Sequence, residues 1–301
     1  MNKLKSKLTL LIFIIIMFST STFFSGNDLK LLLDKTLQTE TGKLLDANTV
    51  IGDFKITVWD KNEAGVKVYG NENAEKYLVF TAENSASGIK VDGTKKEKEQ
   101  IKGVQVRIEV TLPVSYNVKL NTGGGEIFVS GSSGSINFNT AGGNIKIENI
   151  SGDVDGSTAG GNVLLTDIKG KIKLSTAGGN VTATGFEGNV DISTAGGNIA
   201  LSGSNSAVNA STAGGNIALD YTGENLGVDL STAAGKIIAD LPSDFNADAD
   251  LSSMVGKIKC DFAAAENTKL MSNLKAKFNN GGKIFKCSTA AGDITIRKRL
   301  E

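Results

Sequence analysis

Side chains that could catalyse a reaction or bind a metal are few in this sequence. Its 301 residues include no histidine, which removes the commonest general base and the commonest metal ligand. A polysaccharide hydrolase or lyase would need paired carboxylates or a basic side chain, and one stretch brings both types together: Lys146, Glu148, Asp167, Lys169, Lys171 and Lys173. Ordinary alternating charge on a solvated strand explains this stretch more simply. We therefore predict that the protein is not an enzyme.

The glycine-rich turns suggest a second chemistry, because calcium-binding solenoid repeats place turn carbonyls and aspartates around each ion. Here Gly-Gly is followed by Asn and then Ile or Val, with no third glycine and no aspartate in register. We predict no metal site and no cofactor. The two cysteines, Cys260 and Cys287, could form one disulfide bridge in an oxidising compartment or remain buried thiols.

Charge and the N-terminal segment bear on partners and location. The 32 basic and 32 acidic residues cancel, which argues against a nucleic-acid partner. Three lysines among the first seven residues precede an apolar run from Leu8 to Phe18, the order of a secretory signal. We predict a signal peptide over 1–26, a linker over 27–43 and no stable membrane span after cleavage. The protein would then be exported to the periplasm, the outer cell surface or the medium, with an uncleaved anchor as the alternative.

Internal repetition dominates the chain after residue 118. The segment Thr-Ala-Gly-Gly-Asn-(Ile/Val) recurs every 18 residues, with its threonine at Thr140, Thr158, Thr176, Thr194 and Thr212. The spacing loosens at Thr232 and at a degenerate copy around Ser253, and a last copy lies at Thr289. Apolar residues alternate with polar ones on both sides of each threonine, which indicates two short strands per repeat with one buried face.

An 18-residue unit with two short strands cannot bury its apolar side chains alone, whereas stacked copies can. We predict an all-β fold, a parallel β-solenoid with about 18 residues per coil and about ten coils between Val118 and Ile296. Residues 44–301 would form a single domain, with a cap and irregular coils over 44–117 and repeat coils over 118–301. A β-propeller is the alternative fold.

Three features resemble one known family: residues 49–59 (Thr-Val-Ile-Gly-Asp-Phe-Lys-Ile-Thr-Val-Trp), residues 110–114 (Val-Thr-Leu-Pro-Val) and the repeated Thr-Ala-Gly-Gly-Asn-Ile. They are similar to the adhesin-like DUF4097 proteins, which are related to the DUF2807 head-domain group, and the similarity extends over roughly Leu44 to Ile296. The resemblance implies a right-handed β-helix in an exported bacterial protein. It implies no catalytic residues, because the family defines none.

Two columns of polar residues follow from the repeat. The threonines share the inward direction of the apolar residues before them, so we expect them inside the coil rather than on an ice-binding face. The asparagines after the Gly-Gly turn would stack into an amide ladder: Asn144, Asn162, Asn180, Asn198 and Asn216. Both columns are expected to be structural.

The outward positions differ between the two strands of each repeat. The strand before the turn shows polar and charged residues: Asn137, Asp155, Lys173, Asp191 and Asn209. The strand after the turn shows an uncharged set, the candidate binding surface: Leu164, Thr182, Thr184, Ala200, Ser202 and Ala218. Alternatively, region 44–118 or a partner covers this face.

These features together favour a non-enzymatic exported adhesin or cell-envelope scaffold whose partner is an unknown surface, a glycan or a protein ligand. An envelope-stress or ligand-sensing module is the first alternative. A polysaccharide-active β-helix enzyme is the second. The oligomeric state is left open by the sequence.

Overall fold

The structure is a computed structural model that describes residues 29–96, 101–262 and 272–299, and the predicted signal peptide lies outside these residues. The described residues form 26 strands and one short helix, α1 (Glu72–Tyr77). The strands belong to two sheets of thirteen. Within the described ranges, no helix is long and apolar enough to cross a membrane.

Sheet A runs, in spatial order, through β1 (Lys30–Gln38), β4 (Glu63–Gly70), β7 (Val106–Pro113), β3 (Asp53–Trp59), β9 (Ile127–Ser130), β11 (Ile145–Ile150), β13 (Val163–Ile168), β15 (Val181–Glu187), β17 (Ile199–Ser204), β19 (Ile217–Thr222), β21 (Ile237–Leu241), β26 (Ile294–Lys298) and β23 (Ile258–Cys260). Sheet B runs through β24 (Asn273–Phe278), β22 (Ala247–Val255), β25 (Ile284–Ala291), β20 (Val228–Ala234), β18 (Val208–Thr212), β16 (Val190–Thr194), β14 (Ile172–Thr176), β12 (Val154–Thr158), β10 (Ile136–Thr140), β8 (Asn117–Thr122), β2 (Leu44–Thr49), β6 (Gly88–Lys95) and β5 (Leu78–Ser85).

Each coil contributes one strand to each sheet, and neighbouring coils pair in parallel. Ile136 of β10 lies opposite Val154 of β12, and Ile145 of β11 lies opposite Val163 of β13. Buried and more exposed residues alternate along these strands, and the buried ones form one core between the sheets. The predicted parallel β-solenoid is therefore confirmed.

The repeated threonines point into the solenoid, as expected from their parity, and are at most 9% exposed. Their hydroxyls bond the backbone of the Gly-Gly turns. Thr140 Oγ1 donates to the carbonyl of Gly142 at 2.8 Å, and Thr212 Oγ1 donates to the carbonyl of Gly197 in the preceding coil at 2.9 Å. The threonine column thus adds side-chain hydrogen bonds to the carbonyls of the turns.

The asparagine ladder is also present, and it joins one coil to the next. Asn180 Oδ1 accepts from the backbone N–H of Asn198 at 2.9 Å and from its side-chain Nδ2 at 3.2 Å. The same pair of bonds links Asn198 to Asn216. The amide oxygens of Asn180 and Asn198 therefore each accept two hydrogen bonds from the following coil.

The coils at both ends do not stack in chain order. Coil β25/β26, which ends the described chain, lies between coil β20/β21 and coil β22/β23. At the other end, coil β2/β3 lies between coil β6/β7 and coil β8/β9. The copy at Thr289 consequently pairs with both Thr232 and Ser253. Region 44–117, expected to be a cap with irregular coils, thus supplies two coils that pair in register.

The charged residues on the outer sides of the sheets are consistent with this stacking order of the end coils. Lys286 of β25 lies between Asp229 and Asp250, two carboxylates that would be neighbours if the coils stacked in chain order. At the other end, Asp46 of β2 lies between Lys90 and Lys119. Because like charges directly opposite each other destabilise neighbouring strands, the inserted coils remove two repulsive contacts and create attractive ones.

Antiparallel strands close three of the four sheet ends in the described residues, and at the fourth β23 pairs in parallel with β26. The stretch 27–43, predicted as a linker, contains β1, which pairs with β4, and β4 in turn pairs with β7. Lys35 of β1 donates to the carbonyl of Ala82 in β5 at 2.9 Å, so the edge strands of the two sheets meet. A solenoid needs such end units because an exposed strand edge invites pairing with other chains.

Candidate functional site

The six residues of the candidate binding surface lie together on the outer side of sheet A. We call this set the contact face. Leu164, Thr182, Ala200 and Ala218 are opposite one another in consecutive strands, and Thr184 is opposite Ser202 in the adjacent column. All six are half-buried, as expected for small side chains on a flat sheet. The strand alternation that buries Val163 and Val181 directs these side chains outward.

Ion pairs border the contact face at both ends. On one side, Lys146 Nζ lies 2.7 Å from Glu148 Oε2, and the ammonium also sits 5.3 Å from the ring centre of Phe128. On the other side, Asp220 pairs with Arg299 and Asp240 pairs with Arg297. The face is thus an uncharged strip between two charged margins.

The described residues of region 44–118 do not cover the contact face. Its strands extend both sheets beyond β9, at the end of the solenoid, and they pair with one another and with β8 and β9. The first alternative reading of the face, coverage by this region, is therefore wrong.

The residues considered for hydrolysis or elimination do not form a shared site. Lys146 and Glu148 pair with each other in β11 of sheet A, Asp167 has a φ of 53° near the end of β13, and Lys173 lies in β14 of sheet B. Within the described ranges, no group of three or more His, Cys, Asp or Glu side chains is placed to hold a metal ion.

Both cysteines are buried thiols, and no disulfide joins them. Cys260 lies in β23 of sheet A and Cys287 in β25 of sheet B. Burial raises the pKa of Cys287 well above its usual value, and the negative charges of Asp229 and Cys260 add to the effect. A thiol in this environment is a poor nucleophile because little thiolate forms near neutral pH.

Sequence reasoning missed one pair of ionisable residues at the N-terminal end of the asparagine ladder. Asp53 and Glu126 occupy the positions that Asn144 and its successors hold in later coils, and Asp53 Oδ1 accepts from the backbone N–H of Glu126 at 2.8 Å. Burial raises the pKa of both carboxyls, and the charge of Asp53 raises that of Glu126 further. The signal in the sequence was the pair Gly52-Asp53, which follows Thr49 at the same spacing as the Gly-Asn pair follows the threonine of each repeat.

Solved structures with similar folds include three bacterial proteins. A putative adhesin from Bacteroides fragilis is 14% identical, with 89% of this chain and 97% of that chain covered and a TM-score of 0.44. A putative lipid binding protein from Parabacteroides distasonis is 16% identical, with 88% and 96% covered and a TM-score of 0.40. A putative cell adhesion protein from Clostridium sporogenes is 13% identical, with 90% and 100% covered and a TM-score of 0.25.

A comparison with curated proteins found no match. The family model described as Toastrack DUF4097 matches residues 52–297, a range that includes the repeated turns and almost every coil of the solenoid. This match covers well over half of the sequence and agrees with the resemblance carried by the Thr-Ala-Gly-Gly-Asn-Ile repeats. The chain therefore belongs to the Toastrack DUF4097 family.

Proposed function

We propose that the protein is a non-enzymatic, exported scaffold that binds a glycan or protein surface through the contact face. The observation that carries this proposal is the uncharged strip of outward side chains, in register over four strands and bordered by ion pairs.

The physical argument concerns desolvation. Burying a charged side chain against a partner costs free energy unless that charge is paired, whereas burial of methyl groups is favourable and hydroxyl groups are buried at little cost once they hydrogen-bond to the partner. The contact face offers methyl groups from Ala200 and Ala218 and hydroxyl groups from Thr182, Thr184 and Ser202. A rigid parallel sheet also loses little conformational entropy on binding, because its backbone is already ordered.

The test places two lysines on the contact face and two on the opposite sheet. Thr182→Lys with Ala200→Lys puts positive charges at paired positions of β15 and β17. The matched control, Ser193→Lys with Ser211→Lys, adds the same charge at paired, half-buried, outward positions of β16 and β18. Both double variants should keep the wild-type circular dichroism spectrum, since all four side chains point outward.

Binding of the purified chain to a glycan array and to whole cells is the readout. We expect the contact-face variant to lose about tenfold or more in apparent affinity, because the ammonium groups must be desolvated on contact. The control variant should bind like the wild type. Equal losses from the two variants, or no loss from the first, would contradict the proposal.

A further inference from the structure

The N-terminal end of the asparagine ladder departs from the rest of the repeat. At Asn162, Asn180 and Asn198 the amide oxygen accepts two hydrogen bonds from the next coil. At Asp53 and Glu126 two carboxyls stack instead, and Glu126 Oε1 makes only a long contact of 3.5 Å with Asn144 Nδ2. A carboxylate has no N–H to donate along the ladder. The contact between Asp53 and Glu126 therefore has one hydrogen bond fewer than a contact between two asparagines, and it places two like charges side by side.

Burial raises the pKa of both carboxyls, so folding disfavours their charged forms. We expect the pair to lower the stability of the fold near neutral pH. A raised carboxyl pKa contributes stability at acidic pH, and that contribution is lost as the pH rises through the folded-state pKa. The repeat itself contains the stable alternative, asparagine. Residues that depart from the repeat pattern without adding stability are expected at functional sites.

Asp53 and Glu126 line a cleft of about 630 Å³. Gln105 and Arg107 form another part of its lining, and the turns Gly124–Gly125 and Gly142–Gly143 contribute bare backbone. A β-carbon added at Gly124 or Gly142 would meet no atom within 4 Å, so the cleft is open at these turns. Its volume lies in the range of roughly 300–1,000 Å³ that is typical of small-molecule sites.

Arg107 gives the cleft a hydrogen-bond donor opposite the carboxyls. Its guanidinium lies 4.9 Å from the ring centre of Tyr69, which helps to hold it in place. Its Nε lies 3.1 Å from Glu109 Oε1, and this ion pair also holds the guanidinium in place. The positive charge of Arg107 lowers the pKa of Asp53, although burial outweighs that effect.

We propose that this cleft binds a polyhydroxylated ligand, one sugar unit, whose hydroxyls donate to Asp53 and Glu126 and accept from Arg107. A sugar hydroxyl both donates and accepts hydrogen bonds, so a single ligand satisfies the carboxyls and the guanidinium together. A divalent cation fits less well, because Arg107 repels it and no third acidic ligand completes the site in the described residues. The cleft is separate from the contact face, and the inference does not rest on the function of that face.

The experiment combines a binding measurement with a stability measurement. Isothermal titration calorimetry of the full chain would use glucose, galactose, mannose and N-acetylglucosamine, with calcium chloride as a separate arm. Glu126→Asn restores the amide of the ladder and removes one sugar acceptor. We expect this variant to melt at a higher temperature than the wild type at pH 7 and to bind sugar about tenfold more weakly.

Lys236→Asn is the matched control, because Lys236 holds the same ladder position at the far end, where its N–H bonds Asn216 Oδ1. This variant should bind sugar like the wild type. Three results would each overturn the proposal: no sugar binds the wild type, calcium binds while sugars do not, or Lys236→Asn weakens binding as much as Glu126→Asn. A lower melting temperature for Glu126→Asn would refute the argument that the carboxyl pair costs stability.

Discussion

Truncating Asp240 and Arg297 to alanine, singly and together, tests the order in which the C-terminal coils stack. Arg297 of β26 binds the Asp240 carboxylate of β21 through two hydrogen bonds, with Nε–Oδ1 at 2.5 Å and Nη2–Oδ2 at 2.6 Å. In chain-order stacking, β23 would lie between these strands and keep the two side chains apart. Only the inserted position of coil β25/β26 makes them neighbours.

The magnitude follows from the geometry and the exposure. Hydrogen bonds to charged groups contribute about 1.5–3 kcal/mol when buried, and exposed ion pairs contribute about 0.2–1 kcal/mol. The side chains of Arg297 and Asp240 are 38% and 23% exposed, and the pair is bidentate. Screening by solvent therefore places the expected coupling free energy between these limits, at about 1 kcal/mol.

Urea unfolding followed by circular dichroism gives the four free energies of the double-mutant cycle. A parallel cycle on Lys146 and Glu148 calibrates the method, because this pair lies within one strand and couples in either stacking order. Coupling at Lys146 and Glu148 together with none at Asp240 and Arg297 would refute the inserted coil. Raising the salt concentration to about 1 M should weaken both couplings, since screening shortens to a few ångströms.

Two further predictions concern the core. Ile199 is 1% exposed and lies between Val181 and Ile217, so Ile199→Asp should abolish folding or cost several kcal/mol; near-wild-type melting by circular dichroism would contradict the register. Because burial raises the pKa of Cys287, its thiol should react with Ellman's reagent at pH 8 only after unfolding in urea, and Cys260, which is 3% exposed, should behave alike. Rapid labelling of the native protein would contradict their burial.

The strands and the core could be predicted from the sequence because two signals agree. Alternation of apolar and polar residues sets the buried face of each strand, and the 18-residue repeat fixes which residues stack. Val163 and Val181 are buried opposite one another for this reason, and Thr176 points inward two residues after the buried Leu174. The residues of the contact face were found by the same alternation.

The order of the end coils could not be predicted from this pattern. The copy at Thr289 has buried residues at the same positions as the copies at Thr232 and Ser253, and all of them are apolar or small, so the alternation of buried residues does not specify which copy stacks on which. The stacking order of the end coils is indicated by the outward charged residues, which are not part of the repeat pattern. Coil β2/β3 was read as irregular because Thr49 is followed by Val-Ile-Gly rather than Ala-Gly-Gly, although its Gly and Asx positions match the repeat.

The uncharged strip and the ordering charges occupy different parts of the molecule. In the central coils each coil stacks on the next one in sequence, and the outer side of sheet A carries the uncharged strip there. At the ends, longer connections separate β3 from β6 and β23 from β25, and there Asp46 and Lys286 select the neighbours. The outward residues of the contact face in β13, β15, β17 and β19 carry no charges of this kind, and they are available to form a contact surface.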